Sequence, residues 1–170
     1  MLKKIPLFLL IFLIIATFFG FPGYGDEKAN TKIPDEAYYN LKGLSHFKNG
    51  FYNLTPKHQK EEAKKEYEFA IQEYKKALSI NPDYAKAHRN LARVYYVQKK
   101  YLKAAEHYKK LTYLNPYDID AYVLTALAYA EAQKYSEAKE ELKNAKNMTT
   151  DPIIQNKIND YIKKIENREQ

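Results

Sequence analysis

The chain has 170 residues, enough for one small domain, and 45% of them are apolar, a share that suits a packed core. It contains no cysteine, which excludes disulfides, thiolate metal sites, thiol nucleophiles and a cysteine-borne lipid. The formal charge is +7; without residues 1–25, which take Lys3 and Lys4 with them, 26 basic residues face 21 acidic ones, an excess too mild and too spread to argue for nucleic acid.

The N-terminus reads Met1-Leu2-Lys3-Lys4, followed by an apolar run over residues 5–21 broken only by Pro6, Thr17 and Gly20. A basic start, an apolar stretch and small residues at Gly23 and Gly25 predict a secretory signal peptide over residues 1–25, cleaved after Gly25. The site Phe21-Pro22-Gly23-Tyr24-Gly25 is bulkier than the usual small-x-small pattern. An uncleaved membrane anchor is therefore the alternative, although such a span normally needs about 20 residues. Residues 26–35 read as a linker, ending in Pro34-Asp35-Glu36, where a proline and two acids suit the first turn of a helix.

The first helical hairpin spans residues 36–84. Its opening helix, residues 37–47, is expected to end at Asn49-Gly50. An insert of residues 50–66 follows, in which Thr55-Pro56 reads as an N-cap and a first-turn proline. The second helix is then expected to run from near Pro56 to Ile80, its first two turns projecting as a polar extension. That extension is either a solvated helix end or a docking element.

The second hairpin, residues 85–118, is the clearest. His88, Leu91, Ala92 and Tyr95 share one helical face, and Tyr101, Ala104, Tyr108 and Leu111 share another. The pattern breaks at Gln98-Lys99-Lys100, which predicts a tight turn. A shift of 34 residues brings Tyr67, Tyr101 and Tyr135 into register, and likewise Ala70, Ala104 and Ala138; Asn81-Pro82 falls on Asn115-Pro116. A fixed period of this length is the mark of a solenoid of helical hairpins.

The third hairpin, residues 119–150, starts after Asp118, an N-cap candidate. Its first helix is apolar nearly all round: Ala121, Tyr122, Thr125, Ala126 and Tyr129 suit the hairpin interior, while Val123, Leu124 and Leu127 lie on another face. Either Ile153, Ile154 and their neighbours bury that face, or it floors a concave groove. Residues 151–170 form a closing helix whose stripe of Ile154, Ile158, Tyr161, Ile162 and Ile165 suits a cap for the stack.

The middle unit, with His88, Leu91, Ala92, Tyr95, Ala104, Tyr108 and Pro116, resembles the tetratricopeptide repeat family; it departs with His88 for the usual Trp and Ala92 for Gly. The resemblance covers roughly residues 37–150. It implies an all-α, right-handed α-solenoid of about three helix–turn–helix repeats plus a C-terminal capping helix, acting as a binding scaffold and not as an enzyme.

The residues themselves offer little catalytic chemistry. The four histidines, His46, His58, His88 and His107, form no ligand pair; His88 reads as a packed core ring and His107 as part of an exposed flank. No nucleophile elbow, phosphate-cradling glycine loop or calcium loop is present, and no cofactor or metal is expected. The adjacent acids Glu61-Glu62 and Glu140-Glu141 point to different sides of their helices.

A surface remains. The resemblance implies that the first helix of each repeat lines a concave groove for a peptide or a partner's helix, presenting Asn40, Lys86, Arg89, Asn90, Arg93 and Val97, then Asp120, Leu124, Leu127 and Glu131. Lys86, Arg89 and Arg93 form one stripe by spacing alone, which suggests a partner with an acidic segment and apolar anchors. Asp120 and Leu124 stand where domains that clamp a chaperone's C-terminal carboxylate need basic residues, so that subfamily is set aside. The reading is an exported adaptor or assembly factor of a bacterial envelope, periplasmic or secreted. The alternative is an envelope-complex subunit anchored in the inner membrane and facing the periplasm, with membrane contact only if the leader is retained. Self-association through exposed hairpin faces is also open.

Overall fold

A computed structural model describes residues 33–55 and 59–169. The expected leader, most of the linker and Pro56 lie outside these residues. Every described element is helical: α1 (Asp35–Lys48), a π-helical segment (Asn49–Leu54), α2 (Lys60–Ile80), α3 (Ala85–Val97), α4 (Tyr101–Leu114), α5 (Ile119–Glu131), α6 (Tyr135–Asn147) and α7 (Pro152–Glu169). The helices pair as α1 with α2, α3 with α4 and α5 with α6. Each hairpin leans on the next through α2 against α3 and α4 against α5, and α7 closes the stack on α6.

The 34-residue register marks the tightest packing. Ala70, Ala104 and Ala138 are fully buried, and Tyr74, Tyr108 and Leu142, one turn further on, are buried with them. A methyl side chain lets two helix axes approach; the large residue after it fills the space at the crossing. One apolar cluster runs from Phe47 through α2, α3 and α4 to Ala121 and Ala128, and a second joins α5 and α6 to Ile158 and Ile165 of α7.

The turns repeat as well. Lys99 and Gln133 both adopt φ of 59°. Lys100 N–H bonds Tyr95 O and Lys99 N–H bonds Tyr96 O; Lys134 N–H to Tyr129 O and Gln133 N–H to Ala130 O repeat the pair. This is the Schellman way of satisfying a helix's last carbonyls, here with a non-glycine residue in the left-handed position. Between hairpins, Asn81 Oδ1 accepts from Asp83 N–H and Asn115 Oδ1 from Tyr117 N–H, so both Asn-Pro pairs form side-chain-braced turns. Asp118 caps α5 as its position predicts, Oδ1 accepting from Ala121 N–H at 3.1 Å.

The first hairpin departs from expectation. Helical backbone does not stop at Asn49-Gly50; it continues through the π-helical segment to Leu54. Gly50 is buried against α2, where a Cβ would lie 2.9 Å from the Tyr67 ring and 3.2 Å from the Ala63 carbonyl oxygen. The start of α2 therefore does not project freely: Ala63 and Tyr67 are buried under this segment. Thr55 does not cap α2, which begins at Lys60; its hydroxyl instead donates to Gly50 O at 2.8 Å and lies 3.1 Å from Tyr67 Oη. The extra residues lengthen both arms of the hairpin. This explains why Tyr67 is buried while its register mates Tyr101 and Tyr135 are half-buried.

The apolar helix α5 divides its burial. Val123 packs with Ile154 and Ile158 of the second cluster, whereas Leu124 packs on the first. Ile153, expected to help bury this face, is 66% exposed.

Candidate groove and its lining

The first helices of the three hairpins, α1, α3 and α5, bring Phe47, Arg93, Tyr96, Val97, Leu124 and Leu127 around a concave pocket of about 290 Å³, completed by Phe51 and by Tyr108 of α4. Arg93 and Val97 are one turn apart on α3, and Leu124 and Leu127 one turn apart on α5, so one face of each helix serves the pocket. Phe47 and Phe51 stack with centroids 5.6 Å apart, and the Arg93 guanidinium lies over Phe47 at 5.4 Å. That cation–π contact holds the charge at the edge of an otherwise apolar surface. Burial pushes the Tyr108 phenol up to about 12 against the opposing pull of Arg93 and Arg89, so it stays neutral at physiological pH.

The other expected groove residues fall elsewhere. Asn40 is buried and accepts a hydrogen bond from Asn90 Nδ2 at 3.0 Å, tying α1 to α3. Arg89 does not form a free basic stripe with Lys86 and Arg93: its Nη2 donates to Asp118 Oδ2 at 2.8 Å, so its charge is matched by the residue that caps α5. Lys86 is exposed. Asp120 lines a separate cleft of about 550 Å³ between α5 and α7, with Ile119, Val123, Ile154 and Ile158. Glu131 is held by Arg168 Nη1 at 2.8 Å. The sequence reading missed Phe47, Phe51, Tyr96 and Tyr108 as lining residues. The i, i+4 spacing of Phe47 and Phe51 was the available signal, hidden by the expected break at Asn49-Gly50.

His107, read from sequence as exposed, is partly buried. Its Nδ1 lies 3.0 Å from Nδ1 of His88, and its ring stacks on Tyr95 at 5.7 Å. His88 is buried as expected, with Nε2 2.9 Å from Pro82 O. Among the described residues, no group of three or more His, Cys, Asp or Glu could hold a metal ion. No described helix is long and apolar enough to cross a membrane.

Two family models match the chain, "TPR repeat" over residues 63–99 and "Tetratricopeptide repeat" over residues 85–118. No curated protein matches it. Among solved structures, the chain is similar to the TPR2B domain of yeast Sti1 in its pHsp70 complex, at 18% identity and TM-score 0.59, covering 79% of this chain and 98% of that one. It is also similar to the second TPR domain of human RPAP3 in complex with the HSP70 peptide SGPTIEEVD, at 20% identity and TM-score 0.55, covering 77% and 98%. The Sgt2 TPR domain from Aspergillus fumigatus matches at 22% identity and TM-score 0.57, covering 79% of each chain. At identities this low, the structural likeness shows a shared fold and nothing further.

Proposed function

Starting from a chain that carries tetratricopeptide repeats, we propose that it is a protein–protein interaction scaffold that takes a segment of a partner in the concave groove of α1, α3 and α5. The observation that carries the reading is the pocket itself, apolar side chains of three repeats left facing a concavity with one arginine at its edge. A surface of that kind suits partner recognition better than a solvated helix face. The Sti1 domain in its pHsp70 complex and the RPAP3 domain with its HSP70 peptide support it, and the acids of SGPTIEEVD support an acidic component in the partner.

Export is part of the same proposal. Its support is the sequence of residues 1–25, with a basic start, an apolar run and small residues before Asp26. Mass spectrometry of the mature N-terminus separates the two forms. A chain beginning at Asp26 supports a periplasmic or secreted scaffold, and a membrane-bound chain beginning at Met1 favours the anchored envelope subunit.

The functional test is in-cell crosslinking and pull-down of the tagged full-length protein beside Arg93→Glu. Arg89 is left intact, because an acid there would face Asp118 and damage the cap of α5. Proteins captured by the wild type and lost by the variant support the groove. Equal capture contradicts it, and recovery of the protein alone points to self-assembly.

A further inference from the structure

The composition of the pocket specifies its occupant more narrowly. We propose that it receives an amphipathic helix of a partner protein, presenting two bulky apolar side chains one turn apart with an acidic residue beside them. This inference rests on the groove reading above.

Size is the first argument. At about 290 Å³ the pocket is nearly twice a cavity of ~150 Å³ that accommodates benzene, so it has room for two ring- or leucine-sized groups. Residues three or four apart on a helix hold their Cβ atoms about 5–6 Å apart and present such a pair together. Neighbours on one face of an extended strand stand further apart, at nearly 7 Å. The lining has no backbone edge for strand addition, since the pocket is built by side chains of helices. Helix-in-groove recognition is the mode these features fit.

Charge is the second argument. Two neighbouring charges are already matched within the fold, Arg89 by Asp118 and Glu131 by Arg168. Arg93 is the charged side chain that lines the pocket, is exposed, and has no ion-pair partner among the described residues. Its guanidinium is steadied over Phe47, so an incoming carboxylate meets an oriented fork of donors beside an apolar surface, where the attraction is less screened than in open water. The π-helical segment gives the pocket its particular shape. It adds Phe51, 38% exposed, to a lining that includes Leu124 and Leu127, so the pocket is not a product of the repeats alone.

The test is selection from a display library of random 16-residue peptides on the full-length wild-type protein and, in parallel, on Arg93→Glu. Wild-type winners are then measured on Leu127→Lys and on Val97→Lys, each checked for a native melt, so that one misfolded variant does not decide the result. The inference expects winners with bulky apolar residues at i, i+3 or i, i+4 and a neighbouring Asp or Glu. Their affinity should fall about tenfold on Arg93→Glu, and the Arg93→Glu selection should return Lys or Arg in place of the acid. Winners blocked by the lysine variants but lacking the acid, the charge swap or the helical spacing would overturn the inference and leave the groove reading standing. Winners that bind the lysine variants unchanged, or no enrichment at all, would overturn both.

Discussion

His88 and His107 face each other across the second hairpin with their Nδ1 atoms 3.0 Å apart. The Pro82 carbonyl can only accept, so His88 donates to it from Nε2, and a single proton is shared between the two facing Nδ1 atoms. A proton on His107 is disfavoured by burial first, then by His88 and Lys75, and its pKa falls to about 4.

The pair gives the fold an acid-side weakness. The unfolded chain takes up a proton on His107 near pH 6.5 and the folded chain only near pH 4, so stability is fully present above about 6.5 and drains away as pH falls toward 4. Discounted for partial exposure, the loss is on the order of 2 kcal/mol. His107→Asn keeps a donor at the δ position without the titration and should flatten that window. Urea midpoints at a series of pH values test it. The buried Glu73 contributes lower down: burial raises its pKa, but the Lys76 and Lys42 hydrogen bonds and charges outweigh burial, so its share is lost only as pH falls below the ordinary carboxylate range.

Gly43→Ala should be costly. The added Cβ would lie 2.7 Å from Cε1 of Tyr74, which is fully buried and cannot swing aside. The expected loss is about 2–3 kcal/mol, read by thermal or urea unfolding. Gly50→Ala meets Tyr67 at 2.9 Å and should cost less, because that end of the hairpin opens toward solvent; no loss at all would contradict the lengthened hairpin.

The left-handed turns offer the opposite sign. Lys99→Gly and Gln133→Gly remove the Cβ penalty at φ of 59°. Each should stabilise the fold by about 0.5–1 kcal/mol after the greater chain entropy of glycine is subtracted. The two changes lie in different hairpins and should add in a double variant.

The contact between the second and third hairpins depends on a buried acid. Lys109 Nζ lies 3.0 Å from Glu141 Oε1, and Glu141 is buried. Lys109→Met leaves that carboxylate without its cation and should cost about 2–3 kcal/mol, less than a fully buried pair because Lys109 reaches solvent. Adding Glu141→Leu should recover much of the loss. A double variant as unstable as the single would show that the pair is not coupled.

How far the sequence could be read follows from which features are local. The hairpin period was legible because Tyr67, Ala70 and Tyr74 recur at fixed distance and alanine at a helix crossing has one packing meaning. The turn at Lys99 and the cap at Asp118 were legible because a break in the apolar pattern and a carboxylate just before a helix are local signals. The π-helical continuation was not, since an i→i+5 bond leaves no residue-type signature and Asn49-Gly50 is a good stop signal; only the packing of Gly50 on Tyr67 overrides it. The His88–His107 and Arg89–Asp118 partnerships join residues 19 and 29 apart, so they depend on how neighbouring helices settle rather than on a spacing rule. The pairing of Arg89 was hidden because Asp118 lies 29 residues further on, at the cap of α5.

The central claim, that the concave groove is where a partner binds, is tested most directly by a photo-reactive amino acid placed at Val97, inside the pocket, and in a second strain at Lys103, exposed on α4. After irradiation in cells, the account predicts a discrete partner adduct from position 97, none from position 103, and loss of the adduct when Leu127→Lys is added. Adducts of equal yield from both positions, or an adduct at 97 that survives Leu127→Lys in a folded protein, would contradict it.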